Sequence, residues 1–466
     1  MEKIRKNFIY SIKVKNKFNI VFDIGKENAK IILFDQDGKI IKLLKTKYPL
    51  IKFKKNFYFK DINFLINWFK NKIYSLNKKY KIDSIITSTH GAAIGLIDKN
   101  EKILFGIMDY ENDYQSIDKQ FNKILPKYNT TFSPNSEKGL SLGKQILYIK
   151  LKHKKIYNQI QNILTLPQFI SWIFSKKKVS EITYLGNHTH LWNFKKNNFS
   201  SLVNKLNIKK KFPKIKKAGT VIGYYIFDKR IAEQKIKILN GIHDSDAAYS
   251  LFLNSKVKKF NIISSGTHFV LMNPNVSTRF LIQNKDMYSG LNIYGKKVPT
   301  IRFMGGREYN DLIEKFNLKN FKKSFYKDFF NKKNFLYPTF GIGGPFQKIK
   351  GKLNNLKFRN KNEKYMATVT YIAFATNYCL DLLKSKNNII ITGPLINNTD
   401  ILQILNSLKD KKKIYLYSGQ EATAVGCNML NKKNYEIELK IFKCKKINQI
   451  QEAYDYWEKK INKLSY

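Results

Sequence analysis

Two segments of the same pattern occur in the two halves of the chain, and they constrain the fold more than any other feature. The first, FNIVFDIG at 18–25, is an apolar run that ends in a Gly turn and is followed by AKIILFDQDGKII at 29–41. The second, FNIISSGT at 260–267, ends in a turn of small residues before an apolar run at 269–272. Apolar runs with β-branched residues predict buried strands. Their recurrence predicts a duplicated unit.

Helical patterns alternate with these strands. Apolar residues recur at helical spacing over 61–80, and an apolar strand follows at 82–89. The segment 138–215 is predicted to be mostly helical, and the second half predicts a helix at 365–384, a strand at 389–392 and a helix start at 421. Strands and helices that alternate in both halves indicate an α/β fold. The length of 466 residues predicts two or three domains, at about 150 residues each.

The chain is strongly basic, with 86 Lys and Arg against 34 Asp and Glu and a formal net charge of +52. A dense cationic surface is typical of nucleic-acid binding. Phosphate and base recognition favours Arg, however, and only six of the 86 cations are Arg. Lys, Asn, Ile, Phe and Tyr are all abundant and all have A- and T-rich codons. Compositional drift of the genome therefore explains the charge better, and we expect no nucleic-acid partner.

The chain lacks the patterns of membrane and secreted proteins. No apolar run reaches the ~18–20 residues that span a bilayer. Residues 1–17 are basic but have no apolar core, so they predict a short extension and not a signal peptide. Cys379, Cys427 and Cys444 form no CxxC pair. We expect a cytoplasmic protein without a membrane partner.

The two predicted turns are candidates for phosphate binding. A strand that ends in Asp23 and Gly25 places a carboxylate and free backbone N–H groups at the carboxyl edge of a sheet. Open α/β sheets bind ligands at this edge, and such turns cradle phosphates. Ser265, Gly266 and Thr267 are the matching candidates in the second half. Each turn alone is explained equally well as an ordinary hairpin.

The segment GIHDSDA at 241–247 has a more specific pattern, because it places two acids and a His among small residues at a predicted helix start. The positive end of a helix keeps a carboxylate ionised. An ionised Asp near a substrate hydroxyl can act as general base, although Asp and Ser are also common N-caps. His188 and His190 have no third ligand at a recognisable spacing, so metal binding there is disfavoured. The chain has no Walker A pattern.

Taken together, these segments resemble the FGGY family of carbohydrate kinases, which belongs to the sugar kinase–actin–heat-shock chaperone superfamily. The motifs occur in family order across nearly the whole chain: DIGKENAK (23–30), STHGAAIGLID (88–98), GIHDSDAAY (241–249), ISSGT (263–267), ITGPLINN (391–398) and GQEATAVG (419–426). The resemblance implies two actin-like, ribonuclease H-like lobes related by duplication, with ATP and sugar in the cleft between them. Residues 18–240 would form the sugar-binding lobe and 241–466 the ATP-binding lobe.

Further segments resemble a divergent bacterial branch of the family, among them GIMDYEN (106–112), EITYLGNHTHLWN (181–193) and RFMGGREY (302–309). Its His-Asp form of the base motif is similar to that of L-rhamnulose and L-fuculose kinases. The resemblance therefore implies ATP- and Mg²⁺-dependent phosphorylation of a ketose, such as L-rhamnulose, L-fuculose or a pentulose. Family dimers are common, so a homodimer is possible.

The resemblance also assigns roles to individual residues. Asp244 matches the general base, and Asp23 and Asp244 the Mg²⁺ site. The residues that match the ATP and phosphate sites are Gly25, Lys26, Asn28, Ser265, Gly266, Thr267, Gly393, Pro394, Asn397 and Glu421. The candidates for the sugar pocket are His90, Gly91, Asp109, Glu111, His243, Arg302 and Arg307.

Two departures from the family pattern leave a second interpretation open. Lys26 and Glu27 stand where the family has Thr in the first phosphate turn, and Thr392 precedes Gly393 where a Gly pair is usual. Glu27 would repel phosphate if its side chain pointed inward. The alternative is a catalytically weakened sugar-binding or regulatory protein of the same fold.

Overall fold

The computed structural model describes residues 17–134, 138–226, 235–253, 255–319, 327–341, 343–347, 349, 351, 358–409, 411–430 and 436–464. All of the predicted basic extension except Lys17 therefore lies outside the described residues. Within the described ranges, no helix is both long and apolar enough to cross a membrane.

The strands of the described chain are β1 (Lys17–Ile24), β2 (Asn28–Phe34), β3 (Ile40–Lys47), β4 (Leu50–Lys54), β5 (Phe57–Lys60), β6 (Lys81–Thr89), β7 (Ile94–Ile97), β8 (Ile103–Phe105), β9 (Ile107–Met108), β10 (Asn162–Thr165), β11 (Trp192–Asn193), β12 (Asn198–Phe199), β13 (Val221–Ile226), β14 (Lys235–Leu239), β15 (Ile242–His243), β16 (Phe260–Ser265), β17 (Phe269–Met272), β18 (Met287–Leu291), β19 (Lys297–Phe303), β20 (Asn388–Thr392), β21 (Ile414–Tyr417) and β22 (Lys440–Ile441).

The α-helices are α1 (Ile62–Asn77), α2 (Asp118–Ile124), α3 (Tyr128–Thr131), α4 (Leu142–Lys152), α5 (Lys154–Gln159), α6 (Leu166–Ser175), α7 (Ile182–Leu185), α8 (Ser201–Lys205), α9 (Asp244–Leu253), α10 (Gly305–Lys315), α11 (Lys361–Leu382), α12 (Thr399–Leu408), α13 (Ala422–Met429) and α14 (Ile450–Leu464).

The two halves have the same topology, as the repeated segments predict. In the first half, β1, β2 and β3 form an antiparallel meander, and β6 and β14 continue the sheet in parallel with β1. In the second half, β16, β17 and β19 form the meander, and β20 and β21 continue it in parallel with β16. The chain therefore has the predicted α/β fold of two actin-like lobes.

Local patterns explain most of these elements. Helix α1 begins after Asp61, whose side chain accepts a hydrogen bond from the backbone N–H of Phe64. Its predicted apolar face is buried. The expectation of a mostly helical 138–215 is wrong in part, because β10, β11 and β12 lie in this segment beside the helices. Strand β10 has only four residues, and its pairing with β7 comes from contacts that are distant in sequence.

The two sheets meet where helix α9, which follows strand β15 of the first sheet, crosses helix α13, which follows strand β21 of the second sheet. Gly426 of α13 lies so close to α9 that a Cβ atom there would overlap the carbonyl oxygen of Ala247. Buried apolar residues of both halves, such as Val21, Ile86 and Ile390, pack into one core around this crossing. The crossing brings the first residues of α9 and α13 to the same place between the lobes.

We expect the substitution Gly426→Ala to lower the free energy of unfolding by about 1–3 kcal/mol, because overpacking against a backbone atom forces the helices apart. The better helix propensity of Ala offsets less than about 1 kcal/mol of this. Gly290→Ala is the control, since a Cβ at Gly290 meets nothing closer than 3.8 Å. Denaturant unfolding monitored by circular dichroism measures the free energy of unfolding of both variants. Equal stability of Gly426→Ala and wild type would contradict the close crossing.

Candidate active site

Three carboxylates meet between the lobes. Asp23 lies at the end of β1, Asp244 at the first residue of α9 and Glu421 directly before α13. The pKa of Asp23 is raised to about 7, chiefly by burial, with Lys30 opposing the shift and the charges of Asp244 and Glu421 adding to it. Such a cluster is stabilised by a bound cation, because the cation favours the ionised form of each carboxyl group.

Lys30 joins the two lobes at this place. Its Nζ lies 2.6 Å from Glu421 Oε2 of the other lobe and 3.8 Å from Asp23 Oδ2. Sequence analysis did not select Lys30 as a site residue. A lysine within the otherwise apolar strand β2 is the signal that could have identified it, since a charge in a buried strand requires a partner.

Asp244 has the environment of an accessible base. Its side chain is 33% exposed, and Oδ1 accepts hydrogen bonds from the backbone N–H of Ser245 at 2.6 Å and from Ser245 Oγ at 3.2 Å. It is the first residue of helix α9. The remaining oxygen can therefore accept a proton from a ligand hydroxyl.

His243 lies between this carboxylate and a second, buried one. Its Nδ1 is 3.3 Å from Asp244 Oδ1 and 3.4 Å from Asp246 Oδ2, and Asn187 Nδ2 donates to Asp246 Oδ2 at 3.2 Å. Burial alone would lower the pKa of His243, but the carboxylates of Asp244 and Asp246 raise it above its ordinary value. Asp246 was not among the predicted site residues, although it is the second acid of the 241–247 segment.

His90 and Gly91 complete a pocket with His243 and His188. A Cβ at Gly91 would lie 2.8 Å from His243 Nε2 and 3.0 Å from His188 Nε2, so only Gly leaves room between the rings. Among the described residues, His90 Nε2 and His243 Nε2 are buried without a hydrogen-bond partner. Buried polar atoms are nearly always hydrogen-bonded in proteins. These two nitrogens therefore indicate a ligand with hydroxyl groups.

The protonation of the two rings differs. Burial and the charge of Lys60 lower the pKa of His90, and its Nδ1 lies 2.7 Å from the Gly91 carbonyl oxygen. A neutral ring that donates from Nδ1 presents Nε2 as an acceptor. His243 has its Nδ1 toward carboxylates and favours the protonated form, so its Nε2 is a donor. A hydroxyl group could bond to either nitrogen.

Asp109 and Glu111 flank Tyr110, whose ring contacts that of His90. Asp109 is buried, and its Oδ1 accepts the backbone N–H of Glu111 at 2.8 Å. The side chain of Glu111 is half exposed and pairs with Lys26 Nζ. Lys26 also lies over the ring of Tyr110, 5.0 Å from its centroid. The predicted sugar and phosphate candidates are thus in direct contact here.

The two predicted arginines occupy different places. Arg302 of β19 is largely buried, with Nε 3.2 Å from Asp286 Oδ2, and its charge lowers the pKa of His188, which burial already lowers to about 3. Its guanidinium lies over Tyr288, 5.9 Å from the ring centroid. Arg307 is 62% exposed and its Nε is 4.0 Å from Asp311 Oδ2. The structure therefore brings Arg302, and not the Arg307 side chain, toward the histidines.

The first predicted phosphate turn connects β1 and β2. Gly25 N–H donates to the Asn28 carbonyl at 2.9 Å. Lys26 is partly buried, whereas Glu27 is exposed. Glu27 is therefore the more accessible of the two residues that depart from the family pattern in this turn.

The remaining phosphate candidates converge in the second lobe. Ser265 Oγ donates to the Thr392 carbonyl at 2.6 Å and accepts the backbone N–H of Leu395 at 3.0 Å. Gly393 has φ +86°, and a Cβ there would overlap the Ser265 carbonyl oxygen. Pro394 and Asn397 begin and end a 3₁₀-helix directly after it. The turn of Ser265, Gly266 and Thr267 thus packs against the predicted adenosine loop.

Helix α10 begins on the same turn. A Cβ at Gly306 would overlap the Gly266 carbonyl oxygen, and Arg307 N–H donates to the Thr267 carbonyl at 3.2 Å. The helix start is therefore fixed directly behind the predicted phosphate turn.

Comparison with protein families gives matches over nearly the whole chain. Residues 18–249 match the N-terminal domain of the FGGY family of carbohydrate kinases. Residues 257–438 match the C-terminal domain of carbohydrate kinase FGGY. The comparison with curated proteins gives no match.

Solved structures with the same fold are sugar kinases. A carbohydrate kinase from Novosphingobium aromaticivorans superposes with a TM-score of 0.84 at 22% identity, over 96% of this chain and 98% of that chain. Gluconate kinase from Lactobacillus acidophilus has a TM-score of 0.77 at 17% identity, over 97% and 98%. Xylulose kinase from the same organism has a TM-score of 0.76 at 16% identity, over 96% and 98%. At these identities the likeness establishes the fold.

The environment of His243 generates a prediction that does not depend on any activity. We expect Asp246→Asn to lower the pKa of His243, because one of its two carboxylate neighbours loses its charge. NMR titration of the histidine ring protons measures the change, with His243→Gln used to assign the signal. Asp311→Asn, which changes an exposed carboxylate, is the control. An unchanged His243 titration in Asp246→Asn would contradict the pairing.

Proposed function

Since the chain belongs to the FGGY family of carbohydrate kinases, we propose that it transfers the γ-phosphoryl group of ATP to a hydroxyl of a ketose, with Asp244 as general base. As a member of this family, the protein is a sugar kinase that uses ATP. The observation that carries the proposal is the meeting of Asp23, Asp244 and Glu421 between the lobes, beside the unpartnered nitrogens of His90 and His243. In this proposal, residues 18–240 form the sugar-binding lobe and 241–466 the ATP-binding lobe.

The chemistry proposed for Asp244 follows from its surroundings. Its carboxylate takes the proton of the sugar hydroxyl while the hydroxyl oxygen attacks the γ-phosphorus and ADP leaves. Phosphoryl transfer depends mainly on positioning and on stabilisation of charge, so one oriented base is sufficient. The hydrogen bond from Ser245 N–H supports this role because it fixes one carboxylate oxygen of a side chain that is 33% exposed.

The carboxylates of Asp23 and Asp244 fit a Mg²⁺ ion that has few protein ligands. When bound, Mg²⁺ would neutralise the charge of the β- and γ-phosphates. Asp23 and Asp244 would hold it, and the raised pKa of buried Asp23 supports a cation at this place. The described residues hold no group of three or more His, Cys, Asp or Glu that could bind a metal, which suits an ion that takes most ligands from water and phosphate.

ATP phosphates would lie against backbone donors of the two turns. Gly25, Lys26 and Asn28 supply the first turn, and Ser265, Gly266 and Thr267 the second. Gly393, Pro394, Asn397 and Glu421 would border the adenosine.

The sugar would bind in the histidine pocket. His90, His243 and Asp109 offer buried partners for its hydroxyls, and Arg302 approaches from the second lobe. Gly91 permits the close approach of the His243 and His188 rings, and Glu111 pairs with Lys26 beside the first turn. The proposed substrates are L-rhamnulose, L-fuculose and pentuloses. The gluconate and xylulose kinases of the same fold add D-gluconate and D-xylulose as candidates.

We expect ADP release from the purified protein with Mg-ATP only in the presence of a sugar. A coupled assay against L-rhamnulose, L-fuculose, D-xylulose, D-ribulose and D-gluconate measures it. Release with one sugar would support the kinase and identify its substrate. Release with none of them, from a protein that binds one by calorimetry, would contradict the proposal and favour the binding or regulatory protein.

Asp244→Asn is expected to lower kcat by about 10²–10⁴-fold, the usual contribution of a general base, with little effect on the KM of the sugar. The variant keeps the size of the side chain and loses its ability to accept a proton. Asp37→Asn, in the exposed β2–β3 turn, is the matched control and should retain full activity. Equal kcat of Asp244→Asn and wild type would contradict the assignment of the base.

A further inference from the structure

Lys60 is a lysine buried behind the first phosphate turn, and no role has been assigned to it so far. Its side chain is 1% exposed at the end of β5. Nζ donates to the backbone carbonyl of Lys26 at 3.0 Å and to Tyr48 Oη at 3.3 Å, and it lies 3.9 Å from Asp109 Oδ2. Burial of an ammonium group costs free energy, so an apolar residue would fill this space more favourably.

Lys60 and Tyr48 together fix two consecutive peptide groups of the turn. Tyr48 Oη donates to the Gly25 carbonyl at 2.7 Å, and Lys60 Nζ donates to the Lys26 carbonyl. In a trans peptide, the carbonyl and the following N–H point in opposite directions. The N–H groups of Lys26 and Glu27 are thereby directed away from Lys60 and Tyr48. Among the described residues, neither N–H has a hydrogen-bond partner.

Successive free backbone N–H groups form a concave anion site. In the proposed ATP site, this turn is the first of the two that would receive the phosphates. Tyr48 and Lys60 fix the carbonyls of Gly25 and Lys26 by hydrogen bonds. They thereby orient the N–H groups of Lys26 and Glu27, which are the donors that phosphate oxygens require.

Lys60 also lies beside Asp109, one of the candidates for the sugar pocket. Asp109 Oδ2 is buried without a hydrogen-bond partner in the described chain, and the Lys60 charge lies nearest to it. Asp109 Oδ1 accepts a hydrogen bond from the backbone N–H of Glu111. Lys60 thus connects the phosphate turn with the sugar-pocket candidate Asp109 through one side chain.

We propose that Lys60 is a positioning residue that holds the first phosphate turn in its nucleotide-binding conformation and ties it to the sugar pocket. The proposal rests on the proposed function, because it assumes that this turn receives the phosphates of ATP.

The charge of Lys60 depends on pH within the working range of most enzymes. Burial lowers the pKa of Lys60 to about 8, although Asp109 opposes this shift. The group is therefore cationic below pH 8 and loses its charge as the pH rises through 8. The titratable and charged groups that face it from the surrounding elements are Asp109, Lys26, Glu111, Glu27, Tyr48 and His90.

The test is the affinity for Mg-ADP, measured by titration calorimetry at pH 7 and pH 9. We expect wild type to bind more weakly at pH 9 than Lys60→Arg does, because Lys60 is neutral there, whereas ionisation of Asp23, with its pKa of about 7, affects both proteins equally. Lys60→Met should bind roughly tenfold more weakly or worse at pH 7, since a hydrogen bond from a charged donor is lost, with little further change at pH 9. Lys60→Arg should keep its affinity between the two pH values, because Arg stays protonated.

Two further variants separate positioning from folding. Tyr48→Phe keeps the apolar packing and removes the hydrogen bond to Gly25, so it should also weaken Mg-ADP binding. Lys52→Met, at an exposed lysine of β4, is the matched control and should bind as wild type does. If Lys60→Met does not fold, Lys60→Arg and Tyr48→Phe decide the question.

The proposal would be overturned if Lys60→Met bound Mg-ADP as tightly as wild type does at pH 7. It would also be overturned if Lys60→Arg lost as much affinity at pH 9 as wild type does. An unchanged affinity of Tyr48→Phe would overturn it too. A wild type that binds no Mg-ADP at pH 7 would instead overturn the proposed function, and the role of Lys60 with it. Failure of the inference alone is therefore distinguishable from failure of the function.

Discussion

The backbone contact between α9 and α13 is the constraint on which the rest of the site depends. Gly426 permits the two helices to touch at Ala247, and the touching helices hold the lobes together in one apolar core. Each helix follows the last parallel strand of its own sheet. The duplication therefore brings two helix N-termini, with Asp244 and Glu421, to one place. Positive helix ends stabilise carboxylates, so the fold itself supports a cluster of acids.

The cations around this cluster are paired with acids, although the chain as a whole carries a large excess of positive charge. The chain carries +52, yet the cations described near the site each have an acidic partner. These pairs are Lys30–Glu421, Lys26–Glu111, Lys60–Asp109 and Arg302–Asp286. A buried charge is tolerated only with such a partner. In the proposed site, backbone N–H groups and a metal ion would therefore chiefly neutralise the phosphate charge. The surplus lysines of the chain would not contribute to this.

The strands and the base were predictable because their signals are local. Strand β1, helix α1 and the 241–247 segment each follow from periodicity or spacing within a few residues. The pairing of Lys30 with Glu421 could not be predicted this way, because it joins residues of different lobes. The same holds for Lys60, whose partners come from three separate loops. Strand β10 was missed because a four-residue segment with two apolar residues does not distinguish a strand from a helix until β7 pairs with it. The role proposed for Asp244 still rests on the motif and its surroundings.

The two histidines beside Gly91 relate the electrostatics of the site to the chemistry of its ligand. His243 favours its protonated form because two carboxylates face its Nδ1, whereas burial and Lys60 keep His90 neutral. His243 Nε2 is therefore a donor and His90 Nε2 an acceptor. A hydroxyl group can both accept and donate a hydrogen bond, and a carbonyl oxygen can only accept. A hydroxyl of the sugar could therefore bond to either nitrogen, whereas a ketone oxygen could bond only to His243 Nε2.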